Sequence, residues 1–249
     1  MSEIRGIYTL WLREVKRYGR EKTRLVSSFI QPLLWLVIFG SGMRFATTGI
    51  DYQKFIFPGI IGQTLLFTSM FMGISVIWDR EFGFLKEILV APISRASVFV
   101  GKMLGGSTDA VIQGSFVFLF SFIVGISPNP VAFLLSLPVM VLITFGMVST
   151  GLTIASLMDS LESFGVIQTF VNLPLFFLSG ALFPLTFVPQ WLRWVSVVDP
   201  LTYGVDALRV IILREAWTPV FPFHYDLLAL IAFDVGMIIV GTIVFGHRR

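Results

Sequence analysis

The chain has 249 residues, 55% hydrophobic and 15% aromatic, with only 13% charged and a net charge of +3; soluble domains carry about 25% charged residues. That deficit, with a mean hydropathy of +0.86, excludes an ordinary soluble domain and makes the chain a membrane protein, and the distribution of so small a net charge matters more than its sum. Cysteine is absent, which excludes a disulfide framework and thiolate chemistry.

The first 25 residues carry Arg5, Arg13, Lys16, Arg17, Arg20, Lys22 and Arg24 with no apolar core among them, so a cleavable signal peptide is not expected there. Ile4, Ile7, Tyr8, Trp11, Val15 and Tyr18 recur at helical spacing on one side. Residues 1–25 therefore read as an amphipathic helix in the headgroup layer, its cations toward anionic lipid rather than nucleic acid.

Six apolar spans follow: Val26 to Met43, Phe55 to Ile77, Met103 to Ile126, Val131 to Leu157, Phe164 to Leu178, and Leu227 to Phe245. Most reach the ~20 residues that cross a ~30 Å hydrocarbon core. All must be helical, because lipid offers the backbone no hydrogen-bond partner. The fold expected is all-α and polytopic, one transmembrane domain over 1–249. With the N-terminus inside, 13 basic residues lie on the cytoplasmic side and 5 outside (Arg44, Lys54, Arg193, Arg209 and Arg214). This inside-positive bias puts both termini in the cytoplasm.

Between spans 2 and 3 lies the longest charged interval, WDREFGFLKEILVAPISRASVFVGK over 78–102. Phe84, Leu85, Ile88 and Leu89 have helical spacing, so a short amphipathic helix is predicted. Pro92 ends it, and Ser94 is placed to cap the next helix. Such an element either docks a partner outside the bilayer or lies on the membrane surface. Ionic contacts to a partner fall to Arg80, Glu81, Lys86, Glu87 and Arg95, and apolar ones to Phe84, Leu85 and Leu89. After span 5, residues 179–225 are broken by Pro184, Pro189 and Pro200 and carry interfacial Trp191, Trp194, Tyr203 and Trp217. They read as a re-entrant pair of short helices, tolerated at depth only under cover of protein or a water-filled cavity. A helix from Leu201 to Leu213, with Asp206 and Arg209, is expected on the outer surface.

Polar residues inside spans are costly unless buried or functional. Gln31, Gln63, Thr64, Thr68, Gln168 and Asn172 are such residues, and interhelical hydrogen bonding is their alternative use. Asp109 and Asp234 are the deepest ionisable groups; a proton-coupled carrier is the rival reading they support. No metal-ligand cluster stands out, and His224 and His247 fall on opposite sides of the membrane. Gly105-Gly106, and Gly146 with Thr150 and Gly151, suggest close helix packing.

Three blocks carry a resemblance: FPGI at Phe57–Ile60, KEILVAPISRASVFVGKMLGG at Lys86–Gly106, and LPLFFLSGALFPLTFVPQWLRWVSVVDPLTYGVDALR at Leu173–Arg209. In order and spacing, over nearly the full length, the chain resembles the membrane subunit of an ABC-2 type exporter, the class of daunorubicin-resistance and nodulation-factor permeases. The resemblance implies a homodimer of this chain in the cytoplasmic membrane with two copies of a separate ABC ATPase, which would hold ATP and Mg. It implies that 78–102, including Pro92, is the coupling region, with the N-terminal helix also meeting the ATPase. It further implies that spans 2 and 5 line the pathway, with Gln63, Thr64, Phe67, Phe71, Gln168 and Asn172 facing an amphipathic drug, lipid or lipid-linked saccharide. The outer gate would lie in 179–225, around Leu178, Ser179, Gly180, Phe183 and Pro184. No catalytic residue is expected: the chain has no G-x-x-x-x-G-K-S/T loop, since at Gly101-Lys102 the upstream glycine position holds Ala96 and the next residue is Met103.

Overall fold

A computed structural model describes residues 3–42, 51–83, 93–127, 129–214 and 217–247. Every regular element among them is helical: α1 (Glu3–Arg20), α2 (Lys22–Gly42), α3 (Tyr52–Phe71), α4 (Ile74–Glu81), α5 (Arg95–Leu119, continued by a 3₁₀ turn to Val124), α6 (Pro130–Leu157), α7 (Leu161–Leu178), α8 (Gln190–Val198), α9 (Pro200–Leu213) and α10 (Phe223–His247). Local chemistry sets the starts. Asn129 accepts from the amides of Val131 and Ala132, with Pro130 in the first turn of α6. Ser160 caps α7 and Ser94 caps α5, the latter as predicted. Asp199 caps α9, with Pro200 following.

Among the described residues, five helical stretches are long and apolar enough to cross a membrane: Tyr52–Glu81, Arg95–Val124, Pro130–Leu157, Leu161–Leu178 and Phe223–Gly246. The predicted first span corresponds to helix α2, 21 residues and about 31 Å long, which contains an apolar stretch over Ile30–Gly40.

At the centre stands α3, walled by α2, α5, α6, α7 and α9. Phe55, Phe57, Ile60, Ile61, Leu65 and Leu66 are buried along it. A second, smaller core gathers Leu10, Val76, Phe99, Val148, Phe164 and Phe245 at the end of the bundle that holds α1. Close packing at the paired glycines is as expected: a Cβ on Gly151 would lie 2.7 Å from the Met70 carbonyl, and one on Gly106 would lie 2.5 Å from the Met72 side chain.

One expectation is overturned. Helix α9 does not lie on a surface: Leu201, Thr202, Gly204 to Arg209, and Ile212 are all buried, against α3, α6 and α10. Helix α8 before it leaves Trp191, Trp194 and Val198 exposed.

Candidate coupling and gate sites

At one end, α1 lies against α5. Its buried stripe is Gly6, Leu10, Glu14 and Tyr18, while Ile4 and Tyr8 are exposed. The helices meet backbone to backbone, for a Cβ on Gly105 would come within 2.5 Å of the Glu14 Cβ. That approach carries the Glu14 carboxylate inside. There it meets Lys102, which is fully buried. Lys102 Nζ donates to Glu14 Oε1 (3.3 Å), to Ser75 Oγ (3.2 Å) and to Asp79. Asp79 also receives Arg13 through both guanidinium nitrogens, at 2.6 and 3.1 Å, and Arg17 lies 2.8 Å from Glu14. The bond to Asp79 raises the proton affinity of Arg13 above the ordinary arginine value. Two buried carboxylates thus share three cations in a network that joins three helices, the condition under which buried charge is tolerated.

Asp79, Lys102, Arg13 and Arg17 therefore do not serve as free docking or lipid-facing charges. The signal was present in the sequence. Glu14 shares the i, i+4 stripe of Leu10 and Tyr18, and Lys102 sits between Gly101 and Gly105, on a packing face.

Of the coupling residues, Phe84, Leu85, Lys86, Glu87, Leu89 and Pro92 lie outside the described residues. Arg80 donates to the Met158 carbonyl at 2.7 Å, at the end of α6, and Arg95 to the Gly246 carbonyl at 2.8 Å, at the end of α10. Both tie this end of the bundle together. Glu81 is exposed, as is the neighbouring Phe82. Glu3 closes the site. Its carboxylate accepts from the amide and hydroxyl of Ser94 and from the Ser97 hydroxyl, and those bonds, Ser97 first, hold its pKa below 4.5. A carboxylate so depressed adds stability above its unfolded pKa and loses it as pH falls through the lower folded value. Glu3→Gln is therefore expected to lower the melting temperature at pH 7, and the gap from wild type should close in a melting series carried below pH 4.5.

In mid-bundle, Gln31, Gln63, Thr64, Phe67, Thr68 and Gln113 line a cavity of about 40 Å³. That is room for a water or two and not for a lipid. Thr68 donates to Gln113 at 2.8 Å. The structure thus brings Gln63, Thr64 and Phe67 together and adds Gln113, which sequence reasoning missed although Asp109 lies one turn before it on the same helix. Gln168 and Asn172 of α7 do not line this cavity. Asn172 is buried, Gln168 half-buried and Phe71 exposed.

At the opposite end, the chain leaves α7 in an unwound turn held by side chains. The Leu178 carbonyl accepts from Ser196 at 2.6 Å. The Gly180 and Ala181 carbonyls accept from Arg209 at 2.8 and 3.1 Å, and the Leu182 carbonyl from Tyr52 at 2.8 Å. Gly180 has φ 71°, open to glycine at no cost. Gly59 admits the turn against α3, since a Cβ there would lie 2.5 Å from the Ala181 oxygen. Ser179 and Pro184 are buried, and Leu178 and Phe183 half-buried. Arg209 also donates to the Phe55 carbonyl at 3.4 Å and stacks 4.0 Å from the Phe55 ring and 5.0 Å from Trp217. Asp206, one turn earlier, binds Trp217 Nε1 and the amides of Val220 and Phe221.

Comparison with known proteins bears on this arrangement. Residues 5–213 match the model of the ABC-2 type transporter family. The chain is 32% identical over 250 residues to a transport permease, ycf38, of Cyanophora paradoxa, covering 97% of this chain and 85% of that one. It is 27% identical over 210 residues to the inner membrane transport permease YadH of Escherichia coli K12, covering 82% and 81%. Nodulation protein J of Rhizobium leguminosarum bv. viciae is 25% identical over 196 residues, covering 77% and 75%.

Proposed function

Since the chain belongs to the ABC-2 type transporter family and is a multi-pass membrane transport permease, we propose that it is the membrane subunit of an ATP-driven exporter. Two copies would pair in the cytoplasmic membrane, each with six spans, α2 serving as the first, and both termini in the cytoplasm. Each would engage a separate ABC ATPase that holds ATP and Mg. The cargo class is amphipathic: a drug, a lipid or a lipid-linked saccharide. The observation that carries this reading is the buried ionic core of Glu14, Asp79 and Lys102. It joins α1 to both helices that flank 84–92, so a push delivered there moves three helices together instead of bending a loop.

In alternating access, nucleotide closes the ATPases, the docked elements move as levers, and the 40 Å³ polar cavity widens between α3 and its neighbours. Gln63, Thr64, Phe67 and Phe71, with Gln168 and Asn172 on α7, would then face the cargo, and the turn from Leu178 to Pro184 would part at the outer side.

The test is co-purification of the chain with its neighbouring gene products in mild detergent. A P-loop ATPase at equal ratio is expected, with transport lost in Glu87→Lys and Leu89→Asp. A stable chain that recruits no ATPase, and whose transport is lost in Asp109→Asn or Asp234→Asn, would return the proton-coupled reading.

A further inference from the structure

Arg209 is 2% exposed, and among the described residues no carboxylate forms an ion pair with it. Its partners are carbonyls and ring faces: Gly180, Ala181 and Phe55 take its N–H groups, and Phe55 and Trp217 its planar faces. A guanidinium suits this use, with five donors in a rigid fork and flat faces that stack. A structural cation in a membrane protein would be expected to sit on a carboxylate. The nearest acidic residue in sequence, Asp206, spends both oxygens on Trp217 and on the amides of Val220 and Phe221.

We propose that Arg209 is the latch of the outer gate: its fork holds the Gly180–Ala181 turn shut against α3, and the gate opens when that turn lifts from it. This deepens the exporter reading and rests on it for the role of the turn.

Two observations make the contact releasable. A charge held by carbonyls and rings, with Asp206 one turn away but no direct ion pair among the described residues, is dehydrated. Lifting the turn admits water to it, so hydration offsets the bonds lost and no charge is stranded. The freed carbonyls also meet that water, which removes the cost of leaving them unpaired at depth. The remaining ties are light by comparison: single hydroxyls, Tyr52 to Leu182 and Ser196 to Leu178. Arg209 alone reaches two carbonyls of the turn and one of α3, so it positions both sides of the closed seam.

The chain has no cysteine, so one introduced thiol, read on the band of this chain, reports on the turn without background from the rest of it. The experiment uses Phe183→Cys in the assembled complex, in lipid nanodiscs, labelled with a membrane-impermeant maleimide with and without ATP and vanadate. With Arg209 present, labelling is expected to be slow at rest and faster in the trapped state. Adding Arg209→Gln should raise the resting rate by about tenfold or more, from loss of a charge-assisted bond, and remove the dependence on nucleotide, while ATP hydrolysis persists and transport falls. A merely structural residue would not produce a nucleotide-independent rate in an intact complex. Arg209→Lys keeps the charge and loses the fork. It should give an intermediate rate, and it stands in if the glutamine variant fails to assemble. Unchanged resting labelling in an assembled Arg209 variant overturns the latch. If Phe183→Cys alone labels equally with and without nucleotide, the ATP-driven reading fails, and the comparison of resting rates still decides the role of Arg209.

Discussion

Lys102→Met is expected to cost about 3–5 kcal/mol, the range for removing one partner of a buried ion pair, read as a fall in the thermal midpoint of the purified chain. Methionine matches the lysine stem in length, so packing against α1 changes little. What is lost is the ammonium between Glu14 Oε1 and Asp79 Oδ2. Both carboxylates keep an arginine, Arg17 and Arg13 respectively, so the loss should stop short of unfolding. Arg13→Met supplies the contrast. Its side chain is 35% exposed, and a pair that open to water is worth about 0.2–1 kcal/mol. Equal losses in the two variants would mean that burial at Lys102 does not set the strength of the network. A charge-reversed pair, Asp79→Lys with Lys102→Asp, should recover little, because Arg13 would then face a lysine.

Asp206→Ala is the second large effect. One carboxylate accepts from Trp217 Nε1 at 2.9 Å, from the Val220 amide at 2.7 Å and from the Phe221 amide at 3.1 Å. Alanine leaves three donors without that acceptor, at about 1–3 kcal/mol for each that stays dry. Water will reach some of them, so about 3 kcal/mol in total is expected. The change should be local. Protease cleavage between 217 and 222 should rise well before global melting, and the tryptophan emission of Trp217 should shift red. Asp206→Asn keeps one acceptor oxygen and should fall between. Loss of stability without new cleavage near 217–222 would sink this account.

How much of this was readable beforehand depended on the physics behind each signal. Apolar runs report lipid directly, so α3, α5, α6, α7 and α10 fall close to the expected spans. Caps depend on neighbours in sequence, and Ser94 was readable for that reason. Charges were misread where their partners are far away in the chain. Lys102 and Glu14 are 88 residues apart, and Arg209 and Phe55 are 154. A charged residue taken alone is expected at the surface, which is why α9 was placed there. Only its tertiary partners reveal that Asp206 and Arg209 are interior. The cavity was half legible: polar residues on α2 and α3 stood out, while Gln113 became visible only when α5 was packed against them.

The near-complete enclosure of α3 by its own chain also bears on how the protein is made. Synthesis runs from the N-terminus, so α3 and α4 enter the membrane before α5, α6 and α9 exist to cover them. Asp79, at the end of α4 that meets α1, then has a single counter-charge already made, that of Arg13 on α1, and Lys102 arrives 23 residues later. On that timetable Arg13 of α1 is the partner that Asp79 can meet first, before its buried neighbour Lys102 is synthesised.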